Sequence, residues 1–304
     1  TVLEGRPIDL RISTLPTVRG EKVVMRVLDL SRNTKGLERL GLSADERTKF
    51  DRLIMKPNGI VLVSGPTGSG KTTTLYATLD QINREDINII TVEDPVEIEL
   101  EGVNQVNVNP EIDFTFANAL RSILRQDPNI IMIGEIRDTE TAEIAVKASL
   151  TGHLVLSTIH TNSAVKTITR LIDMGIDAFL VASSLSGVVA QRLVRVVCPH
   201  CSVEEEPTVS EKEMFERYGR DIKKVRRARG CPVCGQKGYK GRSAIFEILE
   251  INEDIIRMVS NKVHEYELLA QARKDGTNLL IEAGLDKVKL GQTTIEEILR
   301  ISLV

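Results

Sequence analysis

Residues 62–76 read LVSGPTGSGKTTTLY. The apolar run IVLV that leads into them has the β-branched character of a buried strand, and TTLYATLDQI behind them has the apolar spacing of a helix. Between the two, residues 65–72 fit G-x-x-x-x-G-K-[ST], the phosphate-binding P-loop. Gly65, Gly68 and Gly70, with Pro66, Thr67 and Ser69 between them, make a backbone free to turn its N–H groups inward around phosphate oxygens. Lys71 follows to reach the β- and γ-phosphates, Thr72 offers a hydroxyl to Mg²⁺, and Thr73 continues the first turn of a helix whose N-terminus favours an anion. A bare strand-to-helix turn needs none of this chemistry, so the segment predicts a nucleotide site.

Working outward, the runs INIITVED, NIIMIGE and HLVLSTIH repeat the pattern of short apolar strands, and TETAEIAVKASL reads as an intervening helix. Such runs suit parallel strands covered on both faces, which predicts an α/β, doubly wound sheet from residue 59 to about residue 191. A P-loop also needs a carboxylate beside its metal and one that positions the attacking water. NIIMIGE ends on Glu135, placed like the metal-supporting acid but with Glu for the usual Asp, and IITVEDPVE ends on Glu93, Asp94 and Glu97. Each acid taken alone also fits a solvated strand end or a helix cap. His153 and His160 stand at the two ends of another run, about 23 Å apart if extended, which excludes a shared metal. That leaves His160 as either a packing residue or a phosphate sensor. Arg121 and Arg125 lie at i and i+4 on one helix face, a pattern that fits a solvated face more readily than an arginine finger.

The 304 residues are 41% hydrophobic, 27% charged and only 3% aromatic, with a net charge of −3. That balance suits an aliphatic core and provides no overall field for nucleic acid. No apolar run approaches the roughly 18–20 residues that span a bilayer, and TVLEGRPIDLRIS does not read as a signal peptide. A cytosolic protein, or one peripheral to a membrane, is expected. The chain begins without Met inside a strand-like pattern, which suggests that an N-terminal part is missing. There, IDLRIST and KVVMRVLDL read as two strands joined by a turn, and the polar SRNTKG as a linker. Farther on, Cys198 and Cys201 in CPHC and Cys231 and Cys234 in CPVC can close a thiolate cage for structural Zn²⁺, with His200 a minor alternative ligand. Disulfides are the blander option and are unusual in a cytosolic chain. Between the pairs, KKVRRAR at 223–229 reads as a solvated or partner-facing surface, with anionic lipid or an acidic partner as the sharper reading. Beyond them RSAIFEILEI reads as a strand, and EYELLAQARKDG and TIEEILRISL as helices.

Four blocks together, GPTGSGKTTT, ITVEDPVE, RQDPNIIMIGEIRDTETAEIA and TGHLVLSTIHTN, resemble the Walker A, aspartate, Walker B and histidine boxes of the type II secretion and type IV pilus ATPase superfamily, hexameric motors with a RecA-like core. A Walker B glutamate is what that family shows. The tetracysteine segment followed by GYKGRSAIFEIL resembles the extension-type members rather than the retraction ATPases, which lack the cysteines. ASLTGHLVLSTIHTNSAV and SSLSGVVAQRLVRVVCPHC look closer to the type II secretion branch than to pilus assembly. The resemblance runs from about Asp9 to the C-terminus. It implies that Lys71 and Thr72 hold phosphate and Mg²⁺, that Glu135 supports the metal through water, and that Glu97 is the general base. It also implies that Arg11 in LRISTLP and Arg26 in VVMRVLD swing onto the phosphates, that Arg121 and Arg125 act at a subunit boundary, and that His160 is the residue of the histidine box.

The same resemblance divides the chain into a fragment of a second N-terminal domain (1–30), a linker (31–37), a RecA-like ATPase domain (38–193), a zinc subdomain (194–240) and a mostly helical C-terminal region (241–304). It implies ATP, Mg²⁺ and Zn²⁺ as cofactors, a homo-hexamer, and a place on the cytoplasmic face of the inner membrane. There a secretion-platform protein would dock the absent N-terminal domain, and ATP hydrolysis would drive pseudopilus assembly for protein export. Readings of other kinds are a pilus-assembly ATPase, a nucleotide switch without turnover, and a DNA-translocating motor, against which the near-neutral charge and scarce aromatics speak.

Overall fold

The computed structural model describes residues 2–3, 6–29 and 36–302; linker residues 31–35 lie outside this range. The first strands, β1 (Val2–Leu3), β2 (Arg6–Thr17) and β3 (Gly20–Asp29), form a small antiparallel sheet in that order. The β2–β3 turn is only two residues long, since Thr17 pairs with Gly20. After it, α1 (Ala44–Ile54) starts on a capping box in which Ser43 and Glu46 satisfy each other's backbone N–H groups.

The remaining strands that build the main sheet are β4 (Gly59–Ser64), β5 (Ile89–Glu93), β6 (Asn104–Asn107), β7 (Ile130–Ile133), β8 (Leu154–Ile159), β9 (Leu185–Val197) and, after two short strands, β12 (Tyr239–Glu250). Their order is β12-β9-β4-β8-β7-β5-β6, parallel throughout except for antiparallel β12 at one edge. Between them run α2 (Lys71–Ile82), α3 (Phe116–Ile123), α4 (Thr139–Leu150), α5 (Ala164–Asp173) and α6 (Ala178–Ser184). Alternate residues of β4 enter different cores: Ile60 and Leu62 pack with α3, α4, α5 and α6 on one face, Val61 and Val63 with α1 and α2 on the other. This is why the strand reads as an unbroken apolar run, and why all six of its residues are buried. The α/β sheet with helices on both faces agrees with the sequence reading.

Two strands carry no clear sequence signal. β6 is polar because it is an edge strand paired only to β5. β9 follows α6 with no residue between, so no turn residues announce it. Thirteen residues long, β9 continues across residue 193, and it pairs with β12 from Gly187 to Val197.

The cysteine segment holds β10 (Val203–Glu205), α7 (Val209–Arg217) and β11 (Val225–Arg227), and the C-terminus holds α8 (Glu253–Ser260), α9 (Glu265–Lys274), α10 (Leu280–Lys289) and α11 (Ile295–Ser302). A third core joins them: Phe215 and Val225 pack with Val194 of β9, Ile245 of β12, and Leu285 and Ile298 of α10 and α11. Buried Glu247 of β12 ties this region to the sheet by accepting the N–H groups of Ala164 (2.7 Å) and Leu280 (3.2 Å), the first residues of α5 and α10. No described helix is long and apolar enough to cross a membrane.

Candidate nucleotide site

The P-loop begins where β4 ends, at Ser64 between Ile159 of β8 and Ala190 of β9. A Cβ on Gly65 would lie 2.5 Å from both the Gln191 carbonyl oxygen and Ser69 Oγ, so the loop can press against β9 only with glycine there. Gly70, left-handed at φ 90°, caps α2 without any side-chain acceptor, and the first-turn N–H groups of α2 remain for an anion. Lys71 is buried, its Nζ donating to the Gly65 (2.8 Å) and Pro66 (3.1 Å) carbonyls. Burial lowers its pKa, with Glu135 opposing and the Arg192 charge adding to the shift.

Around this loop opens a cleft of about 890 Å³ that brings together Thr72, Glu97, Glu135, His160 and Arg26. Glu135 stands just past β7, ion-paired with Arg137 and with His160 Nε2 3.5 Å from its Oε2. The pKa of His160 is lowered, first by burial and then by Lys71, against the pull of Glu135. The acids of the EDPVE segment divide their work. Glu93 is buried and accepts hydrogen bonds from the Tyr76 hydroxyl, from Thr91 Oγ1 at 2.6 Å and from Gln105 Nε2 at 3.1 Å. The Tyr76 oxygen in turn accepts the Glu97 N–H at 3.2 Å. Burial, then Glu93, push the Tyr76 phenol well above its ordinary range, so it stays a donor. Glu93 is thereby occupied in anchoring the segment, and Glu97 is left exposed, with Arg11 Nη2 3.8 Å from its Oε1. Arg11 and Arg26 are direct cross-strand partners in the β2–β3 pair and so share one face.

Arg121 and Arg125 do not reach this cleft. Arg121 is exposed and bonds Glu140 at 2.5 Å and Asn118 at 3.1 Å, while Arg125 bonds Ser122 at 3.4 Å. His153 turns its ring to the Ala148 carbonyl at 2.8 Å, away from His160. The residue that sequence reasoning missed is Gln191. Fully buried on β9, it donates from Nε2 to the Ser69 carbonyl at 2.9 Å and accepts from Thr74 Oγ1 at 2.7 Å, fixing the loop to the sheet. Its one signal was the polar Gln-Arg pair inside the apolar run GVVAQRLV. Among the described residues, four buried side-chain atoms have no hydrogen bond: Ser64 Oγ, Ser69 Oγ, Arg192 Nη1 and Glu135 Oε2, of which only the last has an ion-pair partner, Arg137. Ser64 ends β4, Ser69 lies in the loop after it, Glu135 lies two residues past β7, and Arg192 lies within β9 two residues beyond its last pair with β4, so all four are level with the C-terminal ends of β4 and β7, where open α/β sheets bind ligands.

The four cysteines are free thiols whose sulfurs lie within 4.8 Å of one another. Neighbouring pairs are 3.7–3.9 Å apart. Four thiolates about 2.3 Å from a tetrahedral ion stand about 3.8 Å apart, so the cage fits zinc and is far too wide for a disulfide. The cluster divides its charge: against the penalty of burial, the N–H groups of Cys231 and Gly238 help bring Cys234 down to about 6, while burial pushes Cys201 up to about 11. His200 is exposed and is not part of the cluster. The basic stretch 223–229 is no open cationic patch: Lys224 pairs with Glu204 at 2.5 Å, Arg227 with Glu211 at 2.6 Å and Glu296 at 3.1 Å, and Arg229 with Glu205. Folding brings acids from β10, α7 and α11 onto it, which weakens the lipid or acidic-partner reading.

A glycine loop and lysine at the end of a central parallel strand, with acids from the neighbouring strand ends, define a P-loop nucleotide-binding protein of the α/β class. The chain matches the family model described as "Type II/IV secretion system protein" over residues 1–300, and it belongs to that family. It is 49% identical over 298 residues to the type II secretion system ATPase E of Vibrio cholerae serotype O1, covering 98% of this chain and 59% of that one. To the type IV pilus assembly ATPase PilB of Pseudomonas aeruginosa it is 47% identical over 304 residues, covering 99% and 53%. The chain thus spans little more than half the length of these curated relatives. Its fold is similar to the crystal structure of the pilus retraction motor PilT with bound ADP, at a TM-score of 0.69 and 26% identity, covering 98% of this chain and 78% of that one.

Proposed function

We propose that this chain is the motor portion of a type II secretion ATPase, which hydrolyses ATP as a homo-hexamer at the cytoplasmic face of the inner membrane to drive pseudopilus assembly. One observation supports this above the rest: Lys71, Glu135 and Glu97 line a single cleft that Arg26 of the β2–β3 hairpin also lines, with Arg11 paired to Glu97. In this reading residues 65–73 cradle the phosphates and Lys71 moves from the loop carbonyls to the β- and γ-oxygens. Thr72, and Glu135 through water, would hold Mg²⁺, which when bound neutralises phosphate charge. Glu97, the exposed acid, orients water once Arg11 leaves it for the phosphates, and His160 holds Glu135 in place. Motion of the hairpin against the sheet therefore couples base release to phosphate contact. Arg121 and Arg125, outside the cleft of their own chain, serve a neighbouring subunit. The four cysteines would hold Zn²⁺ as a structural ion. An inner-membrane platform protein, reached through an N-terminal domain outside this chain, is the partner.

The test is phosphate release by the full-length protein with its membrane partner. Lys71→Ala and Glu135→Gln should lower turnover by about 10²-fold or more, with circular dichroism unchanged; a variant near wild-type rate overturns the reading. The 47% identity to a pilus assembly ATPase favours pilus extension as the second reading. Rescue of pilation, and not of secretion, in deletion strains would select it.

A further inference from the structure

Arg192 is the most anomalous charge in the described structure. It is 7% exposed, and its Nη2 donates to Asn162 Oδ1 at 2.9 Å, but its Nη1 is buried with no hydrogen-bond partner. No carboxylate among the described residues pairs with it. A guanidinium withdrawn from water and given only a neutral amide is costly unless something negative shares its enclosure.

Its position says what that is. β9 runs parallel to β4, and their last pair is Ser64 with Ala190, so Arg192 stands two residues past the end of β4, beside the P-loop. The preceding residue, Gln191, holds that loop from its other side. From β9 the Arg192 side chain reaches Asn162, in the loop that follows β8. Since β4 lies between β8 and β9, the guanidinium crosses the C-terminal end of β4, where the P-loop begins. Two more unpartnered polar atoms, Ser64 Oγ and Ser69 Oγ, belong to the same strand end and loop. The Arg192 charge also acts on Lys71. Lys71 and Arg192 are thus two buried cations at the same strand end, and among the described residues neither has a carboxylate hydrogen-bonded to it.

We propose that the counter-charge of Arg192 is the phosphate chain of the bound nucleotide, and that Arg192 is a positioning residue joining the P-loop to the histidine-box loop through Asn162. This rests on the nucleotide reading of the P-loop. It has an uncommon corollary: removing the cation relieves the nucleotide-free protein while weakening the liganded one. A purely structural arginine behaves the other way, since its loss lowers the stability of both forms alike.

The experiment uses the full-length wild-type protein and two variants, Arg192→Met and Arg192→Lys, with ADP and a non-hydrolysable ATP analogue as probes. Thermal unfolding is followed without and with nucleotide, and Kd is measured by calorimetry. The expected result is that Arg192→Met unfolds at or above the wild-type temperature without nucleotide and loses most of the nucleotide-induced rise in Tm. Its Kd should be about tenfold weaker or more, as for loss of one charge-assisted contact, and Arg192→Lys should recover most of it. A lower unfolding temperature without nucleotide, combined with an unchanged nucleotide-induced rise, overturns the proposal. So does a folded Arg192→Met with wild-type Kd. Failure of the wild-type protein to bind either nucleotide instead overturns the P-loop reading on which the proposal stands.

Discussion

Gln191→Ala tests how the sheet holds the P-loop. The wild-type amide makes two bonds, to the Ser69 carbonyl at 2.9 Å and from Thr74 Oγ1 at 2.7 Å, and both Gln191 and Thr74 are buried. Truncation to alanine removes both and leaves the Thr74 hydroxyl without this acceptor inside the protein. Each buried polar group deprived of its partner costs about 1–3 kcal/mol, so a total of about 2–4 kcal/mol is expected. For a chain of this size each kcal/mol moves Tm by about 2–4 °C, which puts the variant roughly 4–16 °C below wild type in a calorimetric scan. The mechanism is separated from simple cavity formation by a double-mutant cycle with Thr74→Val, which removes the hydroxyl without much change in shape. Thr74→Val relieves the unpaired donor, so the double variant should be more stable than the sum of single losses by about 1 kcal/mol. Additivity within error would refute the claim that this hydrogen bond, rather than packing volume, fixes the loop. Nucleotide affinity should fall in the same variant, because an unfastened loop must be ordered by the ligand.

Tyr76→Phe removes the hydroxyl that links Glu93 to the Glu97 backbone; kcat for ATP should fall about 10- to 100-fold by misplacing the acid, stability should fall by about 1–3 kcal/mol because buried Glu93 loses a donor, and an unchanged kcat would show that Glu97 is positioned by other means. Cys201→Ser should lower zinc from about one ion per chain, measured by mass spectrometry of the metal, and loosen the core shared by Phe215 and Leu285; full metal content in the variant would remove Cys201 from the ligand set. Buried Glu297 predicts a pH effect. Burial opposes its ionisation, but Arg300, Arg195 and the Arg195 N–H overcome this and hold it down at about 2, below its ordinary value of 4.5. A depressed acid stabilises the fold fully above its unfolded value and loses that contribution as pH falls from about 4.5 toward 2. Glu297→Gln should therefore flatten the acid limb of a Tm-against-pH curve in that window, and an identical limb would refute the assignment.

Local chemistry made much of this protein legible in its sequence. GPTGSGKTT specifies a phosphate loop because its glycines, lysine and threonine act within one turn of chain. The β-branched runs specify buried parallel strands because both of their faces must be apolar. CPHC and CPVC specify a thiolate cage because each pair supplies two ligands over a short span. What the sequence could not show depends on which distant segments meet. Glu93 and Glu97 are equivalent acids in EDPVE until Tyr76, seventeen residues upstream of Glu93, occupies one and exposes the other. The basic run at 223–229 resembles an interaction surface until β10, α7 and α11 deliver their glutamates to it. Gln191 and Arg192 are only polar interruptions of an apolar run until β9 is laid against β4, when one fastens the P-loop and the other becomes a buried charge at its mouth. Sequence periodicity records which face of an element is dry; only the tertiary structure decides which charges are enclosed together, because electrostatic enclosure is a property of neighbours and not of neighbouring sequence.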